Sequence, residues 1–266
     1  MPERFFTDLP RITVSSLQDI SCSKRFRATR IEKTAWANRE PMPLIVPRSS
    51  AWHEVLHMLH LYRSPEGTLP LRDLDMFVRQ AVMRARYERD ADRKAEQEIV
   101  RAMTMLFLDN QDEEDILAIY GLEAPAEFDF EWKGAPLARM SARLDRLLVR
   151  PENPTHLVLQ DYKAGARKVS LAESFLQLWC AKVTWPEFKS YSLENIWVDV
   201  NDGTIDVDVI STDMVAGQQR YLIGAAERAI RGEAVAEAGP WCTFCNIRKV
   251  CQAFGSVSLE EGEMVF

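Results

Sequence analysis

The sequence lacks long apolar runs and has only five cysteines among its 266 residues. Its apolar runs are a few residues long, as at residues 44–46, which excludes a transmembrane helix of about 20 apolar residues. Residues 1–5 contain no apolar segment of the signal-peptide kind, so we expect a cytoplasmic protein. An odd number of cysteines in a reducing compartment favours metal or cluster binding over disulfides.

The chain also lacks a positive charge balance, because 33 lysines and arginines face 40 aspartates and glutamates, which gives a net charge of −7. This excludes a uniformly basic nucleic-acid binder but leaves room for a local basic groove. Residues 22–48 hold seven basic and two acidic side chains, whereas residues 109–131 hold nine acidic side chains and neither lysine nor arginine. The basic stretch is a candidate phosphate-binding surface, and both stretches are also compatible with solvated faces. Its candidate contacts are Lys24, Arg25, Arg27 and Arg30.

Apolar periodicity predicts an α/β chain whose first half is mostly helical. Helices are expected at residues 49–62, 71–108 (one or two helices), 112–120, 170–183 and 212–231. Ser49 and Thr212 are the expected N-caps, and Gly121 is expected to close the third helix. Strands are expected at residues 127–132, 137–149, 156–162, 192–200 and 204–210, the last two as a hairpin. This order predicts a mixed α/β core that carries the early helices as an insertion or cap.

The clearest chemical signal is an apolar strand, residues 157–159, that runs into Asp161, Lys163 and then Gly165. Side chains two residues apart on a strand share a face, so this carboxylate and this ammonium are expected to lie together. Asp161 suits Mg²⁺, which prefers oxygen ligands, and Lys163 can hold an attacking water or offset charge on a phosphate. The alternative is a surface ion pair that follows a strand.

Asp145 lies within an otherwise apolar β segment, where an unpaired carboxylate is costly. If this strand pairs antiparallel with the strand that carries Asp161, both carboxylates reach one site. Two carboxylates are the minimum for a Mg²⁺ or Mn²⁺ centre. The alternative for Asp145 is a salt bridge to Arg143 or Arg146.

Three of the four histidines fall on one predicted helix, and His53 is a candidate third ligand. His53 and His57 are spaced i,i+4, and His57 and His60 are spaced i,i+3, so neighbouring pairs share a side of the helix. The first pair has a spacing that can bind zinc, but no third ligand with zinc-protease spacing accompanies it. A structural role is the common alternative for a helical histidine.

These motifs resemble those of the RecB-type nucleases in the PD-(D/E)XK superfamily. Residues 49–53 resemble their Gly-Thr-x-x-His motif, residues 142–145 their Gly-x-x-Asp motif, and residues 160–165 their Asp-Tyr-Lys-(Thr/Ser)-Gly motif. Gln177 resembles the glutamine of their Gln-x-x-x-Tyr helix, although Ala181 stands where the tyrosine belongs. The resemblance implies a restriction-endonuclease-like α/β fold, a mixed sheet flanked by helices, and a metal-dependent nuclease that acts on single-stranded DNA or DNA ends.

The resemblance also assigns roles to individual residues. The implied ligands of Mg²⁺ or Mn²⁺ are His53, Asp145, Asp161 and the backbone carbonyl of Tyr162. Lys163 would position the attacking water, and Gln177 would orient Lys163 or contact the DNA backbone. Glu127 and Glu131 are the alternatives for a further carboxylate. Recombination, repair or CRISPR-adaptation proteins are the implied partners, and no membrane is involved.

The cysteines resemble the split iron–sulfur motif of AddB-like and CRISPR-adaptation nucleases, in which one N-terminal and three C-terminal cysteines hold a [4Fe-4S] cluster. Here these would be Cys22 and the compact set Cys242, Cys245 and Cys251. A four-cysteine zinc site is the alternative, because zinc accepts the same ligands. Cys180 has apolar helical neighbours and is expected to be a buried bystander.

The motifs predict a division into four regions. Residues 1–48 form an N-terminal segment, 49–125 a helical part, 126–235 the nuclease core, and 236–266 the cysteine region with an acidic tail. Both termini would build the iron–sulfur region. Two other functions remain open: a DNA- or partner-binding subunit with little catalysis, and a structural domain held together by zinc.

Overall fold

The computed structural model describes residues 9–17, 22–27, 45–85, 87, 90–164, 167, 170–231 and 251. The N-terminal half of this part is mainly helical. Its elements are β1 (Arg11–Thr13), a 3-10 turn (Val14–Ser16), α1 (Ser23–Phe26), α2 (Ile45–Leu61), a second 3-10 turn (Leu71–Asp73), α3 (Leu74–Arg84), α4 (Asp90–Asp109) and α5 (Glu113–Leu117). The elements that follow are β2 (Ile119–Trp132), β3 (Ala135–Leu148), β4 (His156–Ala164), α6 (Leu171–Thr184), β5 (Ser190–Asp199), β6 (Thr204–Ser211), α7 (Thr212–Val215) and α8 (Gln218–Arg231). In this part of the chain, no helix has the length and apolar character to cross a membrane.

Six strands form one mixed sheet in the order β1-β3-β4-β5-β6, with β2 paired to β3. Strands β3 and β4 are antiparallel, β4 and β5 are parallel, and β5 and β6 form the predicted hairpin. In the β3–β4 ladder Arg146 pairs with Gln160, so the next residues in this register, Asp145 and Asp161, are neighbours. The mixed α/β fold with helices against the sheet, expected from the sequence, is confirmed.

The chain divides into two compact units that interleave along the sequence. The terminal unit comprises Met1–Glu40, Asp129–Met140 and Gly217–Phe266, and the central unit comprises Pro41–Phe128 and Ser141–Ala216. Within the terminal unit α1 contacts α8, and the indole nitrogen of Trp132 donates a hydrogen bond to Glu227 at 3.0 Å. The central unit holds α2 to α6 and the sheet positions with the metal-ligand candidates. The four-region division remains a prediction.

The core of the central unit packs α2, α3 and α4 against β4 and β5. The rings of Trp52, Phe107 and Tyr162 meet there, with centroid separations of 5.3–6.2 Å. Neighbouring side chains on a strand point to opposite faces, so Tyr162 faces α2 and α4 while Asp161 and Lys163 face α6. Strand β4 is therefore covered by helices on both faces.

Two expected N-caps are wrong. Helix α2 begins at Ile45, four residues before Ser49, so Ser49 lies inside the helix. The last predicted helix is two helices, α7 and α8, and α7 begins after Ser211, so Thr212 lies within α7. The break at residues 216–217 contains Gly217, and glycine is a poor helix former.

The helix expected to end at Gly121 stops at Leu117, and Gly121 belongs to β2. A β-carbon at Gly121 would lie only 3.3 Å from a side-chain carbon of Leu147 on β3. Glycine therefore lets the two strands approach each other here. The predicted strand at residues 127–132 is the second half of a longer strand, β2, that starts eight residues earlier.

Candidate active site

His53 links helix α2 to the two central strands. Its Nδ1 lies 3.2 Å from Asp145 Oδ1, and its Nε2 lies 2.7 Å from the carbonyl oxygen of Tyr162. The Tyr162 amide donates a hydrogen bond to Asp145 Oδ2 at 2.8 Å. The resemblance-derived donors His53, Asp145 and the Tyr162 carbonyl are thus brought together, with the Asp145 carboxylate held by an imidazole and an amide.

Neither arginine expected as an alternative partner of Asp145 reaches it. Arg143 pairs with Glu123 at 2.6 Å. Arg146 points to the other face of β3, where it donates to Gln160 Oε1 at 2.5 Å and lies 3.0 Å from His60 Nε2. The proposed salt bridge of Asp145 with Arg143 or Arg146 is therefore wrong, because strand alternation sends Arg146 away from its neighbour.

His60 has the structural role that a helical histidine commonly takes. Its Nδ1 lies 2.8 Å from the Leu56 carbonyl, so Nδ1 carries the proton and Nε2 accepts from Arg146. Burial, together with the nearby Arg146 cation, lowers the pKa of His60 to about 3. A neutral His60 therefore accepts a hydrogen bond from Arg146 and is not one of the metal-ligand candidates.

Glu123 is a site residue that the sequence did not reveal. Within the described part of the chain, one group of three metal-ligating side chains has donor atoms all within 4.8 Å of one another: His53, Glu123 and Asp145. Glu123 lies in β2 with a φ of +46°, a conformation uncommon for residues other than glycine. The two carboxylates weighed instead, Glu127 and Glu131, are exposed and lie outside this group.

Asp161 and Lys163 form an ion pair inside the fold. Lys163 Nζ lies 2.7 Å from Asp161 Oδ2 and 3.8 Å from Glu173 on α6. Asp161 is 7% exposed, so the alternative of a surface pair is wrong. Gln177 donates from Nε2 to the same Asp161 oxygen at 2.8 Å, so it orients Asp161 rather than Lys163.

The pKa shifts of the site follow from burial opposed by close opposite charges. Burial disfavours the charged form of His53, but Asp145 outweighs it and raises the pKa to about 9. Burial likewise opposes charge on Lys163, yet Asp161 holds its pKa above the usual value. Burial would raise the pKa of Asp145, but His53 lowers it, whereas burial and the charge of Asp145 raise the pKa of Asp161. The lysine is therefore an ammonium ion at neutral pH.

The donor atoms of the site fit a divalent cation. One imidazole and at least two carboxylates converge, and Mg²⁺ and Mn²⁺ accept such ligands. Gln177 Oε1 is buried and has no hydrogen-bond partner among the described residues. His57 contributes to no such group there, so the spacing of His53 and His57, which could bind zinc, gains no third ligand among the described residues.

The structure leaves the other predicted sites open. Cys22 is buried, Cys251 is half-buried, and both are free thiols. Cys242, Cys245, Arg30 and the side chain of Lys24 lie outside the described residues. Arg25 is 8% exposed, so most of its side chain does not lie on a phosphate-accessible surface, and Arg27 is half-buried.

Cys180 is the buried bystander that its apolar neighbours predicted. Its side chain is fully buried in α6, within the central unit. Burial raises the pKa of the thiol to about 12, so it remains protonated and unreactive at neutral pH.

Fold and site together define an α/β protein with a histidine–carboxylate cluster and a half-buried lysine at its central strands. A family model described as the PD-(D/E)XK nuclease superfamily matches residues 11–252. The chain belongs to this superfamily, whose nucleases use divalent metal ions. A comparison with curated proteins gave no match.

Two solved structures are similar to this chain. A "putative exonuclease" from Eubacterium rectale is 11% identical, with 100% of this chain and 96% of that chain covered and a TM-score of 0.51. The protein designated SSO0001 is 12% identical, with 93% and 88% covered and a TM-score of 0.43. At these identities the likeness to the Eubacterium protein concerns the fold alone.

Proposed function

We propose that the protein is a Mg²⁺- or Mn²⁺-dependent deoxyribonuclease that acts on single-stranded DNA or DNA ends. The observation that carries this proposal is the convergence of His53, Glu123 and Asp145 next to the ion pair of Asp161 and Lys163. Hydrolysis of a phosphodiester needs a cation site beside a group that can hold water or phosphate. The central unit offers both within a chain of the nuclease superfamily.

The metal would be held by His53, Glu123 and Asp145, with Asp161 and the Tyr162 carbonyl beside them. A bound divalent cation lowers the pKa of water and offsets charge on the scissile phosphate. Lys163 remains protonated, so it donates hydrogen bonds to the attacking water or to a phosphate oxygen and accepts no proton. Gln177 holds the carboxylate of Asp161 in place beside it.

The DNA substrate and the biological process rest on the RecB-type motifs. An exonuclease activity accords with the words used for the Eubacterium rectale protein. Recombination, repair and CRISPR adaptation are the proposed settings, with proteins of those processes as partners. Lys24, Arg27 and Arg30 stay the proposed DNA contacts, whereas Arg25, at 8% exposure, is no longer proposed as one.

The four cysteines Cys22, Cys242, Cys245 and Cys251 are proposed to hold a [4Fe-4S] cluster. Support comes from their split spacing, and from the free thiols of Cys22 and Cys251, which belong to the same unit. A zinc ion on the same ligands is the alternative.

A second candidate is a DNA- or partner-binding subunit with little catalysis. Ala181 favours it, because this buried alanine replaces the tyrosine of the Gln-x-x-x-Tyr helix. Labelled single-stranded DNA incubated with Mn²⁺, with and without a chelator, separates the two functions. Shortening that the chelator stops supports the nuclease, whereas binding without shortening supports the binding subunit.

A further inference from the structure

A cavity of about 600 Å³ lies in the central unit, between α2, α3 and the 3-10 turn that precedes α3. None of the metal-ligand candidates lines it. Its walls include aromatic, methionine and polar side chains, among them His57, Met58, Tyr62, Met76, Phe77 and Gln80. Its volume lies within the range of sites for small organic groups, about 300–1,000 Å³.

One wall of the cavity offers an aromatic stacking surface. The rings of Tyr62 and Phe77 are stacked, with centroids 5.8 Å apart and planes 18° from parallel. Tyr62 is 62% exposed, so the ring face turned away from Phe77 stays accessible. Planar heteroaromatic groups stack on such rings in proteins that bind single-stranded nucleic acid.

The cavity also presents groups that can read the polar edge of a planar ligand. His57 lines the cavity, and its buried Nδ1 has no hydrogen-bond partner among the described residues. Gln80 adds an exposed amide, which both donates and accepts. Such side chains can form hydrogen bonds with the polar edge of an uncharged base, whereas an aliphatic group has no polar edge to offer.

The charges around the cavity are balanced. Arg84 pairs with Glu54 at 2.5 Å, and Arg72 lies 3.6 Å from Asp73. Because each of these cations has a carboxylate beside it, the lining has no excess positive charge to gather phosphates. A neutral planar group fits this lining better than a phosphate does.

The cavity and the candidate active site share helix α2, which contributes His57 to the cavity and His53 to the site. His57 follows His53 by four residues, one helical turn or about 5.4 Å along the axis, and shares its side of the helix. We propose that the cavity is a nucleobase subsite, which receives an unstacked base of the DNA strand close to the scissile phosphate. This inference rests on the proposed function of the site.

The test compares short single-stranded oligonucleotides that carry bases with abasic ones of equal length. Binding is followed by fluorescence anisotropy with Ca²⁺ in place of Mg²⁺ or Mn²⁺. The unaltered protein should prefer the base-containing strand by at least about fivefold, since stacking on an aromatic side chain is worth about 1 kcal/mol or more per base. Tyr62→Leu and Gln80→Ala should reduce this preference. Tyr120→Leu, a tyrosine 50% exposed and outside the cavity lining, should retain it.

Loss of the base preference in either cavity variant, with an unchanged thermal midpoint, supports the subsite. If Tyr62→Leu fails to fold, Gln80→Ala alone decides, because its side chain is exposed. Retention of the preference in the folded cavity variants overturns the subsite and leaves the proposed nuclease standing. If the unaltered protein neither binds nor shortens DNA, the proposed function fails, and the subsite fails with it.

Discussion

At the residue scale, Asp161 is a buried carboxylate and Asp145 a half-buried one on the neighbouring strand, and the two repel each other unless cations lie close. His53 and Lys163 supply these cations, one to each carboxylate. The pKa values of the pair consequently shift in opposite directions, that of Asp145 downward and that of Asp161 upward. The site is thus built around negative charge that a divalent metal would satisfy.

Lys163→Ala should abolish cleavage while the fold is retained. In the proposed mechanism the ammonium beside Asp161 holds the attacking water, and alanine removes this group. Lys182→Ala is the matched control, because Lys182 is exposed on α6 and should keep full activity. Circular dichroism checks the fold of both variants, and full activity in Lys163→Ala contradicts the mechanism.

Glu123→Gln should weaken metal binding by about tenfold or more, because it removes one carboxylate from the candidate ligands. The exposed Glu127→Gln should bind metal as the unaltered protein does. Titration calorimetry with Mn²⁺ measures both. Equal affinities in the two variants would remove Glu123 from the ligand set.

Metal affinity should rise with pH. An imidazole ligand binds metal only without its proton, and the pKa of His53 is raised to about 9 by Asp145 despite burial, so metal must displace a proton at neutral pH. As the pH rises toward 9, the apparent dissociation constant for Mg²⁺ should therefore fall about tenfold for each pH unit. His53→Gln should flatten this slope. If the dissociation constant of the unaltered protein does not change with pH, His53 is not a metal ligand.

At the scale of elements, the strand pairing of Asp145 with Asp161 was predictable, and the position of Glu123 was not. Alternation and turn residues predicted β3 and β4, and short connections favour antiparallel neighbours. The helix predicted at residues 112–120, with Gly121 closing it, placed Glu123 just beyond a helix rather than in a strand. Pairing with β3 extends β2 through Glu123, and such tertiary contacts are invisible to local propensity.

The buried polar cluster behind the site should contribute strongly to stability. Arg146 is fully buried, donates to Gln160 and His60, and lies 5.5 Å from the centre of the Phe107 ring. Arg146→Ala should lower the free energy of unfolding by about 3 kcal/mol, because it leaves buried acceptors unpaired.

The matched control for Arg146→Ala is Arg139→Ala, since Arg139 lies on the same strand and its ion pair with Asp129 is exposed. It should change stability little. Urea denaturation measures both variants. A loss in Arg146→Ala no larger than that in Arg139→Ala would contradict a structural role for this cluster.

At the scale of the whole molecule, the order of motifs along the chain predicted the fold class, because each motif falls at the end of a strand or on a helix that covers it. The division into interleaved units was not predictable, since residues 129–140 and 217–266 belong with the N-terminal segment only through contacts in three dimensions. The resemblance of the cysteines to a split iron–sulfur motif implies a shared metal site for distant segments, with iron and zinc as the alternatives.

Protein purified without oxygen should contain about four iron and four labile sulfide per chain, with brown absorbance. Cys22→Ser should lose iron, because it removes one of the four proposed ligands. Cys180→Ala should keep it, since that thiol is buried in the central unit. Elemental analysis that finds zinc instead of iron would contradict the cluster.

The central claim is hydrolysis of DNA at the site of His53, Asp145, Asp161 and Lys163. The most direct measurement follows end-labelled single-stranded DNA, with either the 5′ or the 3′ end blocked, in Mn²⁺ and in chelator. The predicted result is metal-dependent shortening by the unaltered protein and none by Lys163→Ala. Intact DNA with the unaltered protein, or equal shortening by Lys163→Ala, would contradict it.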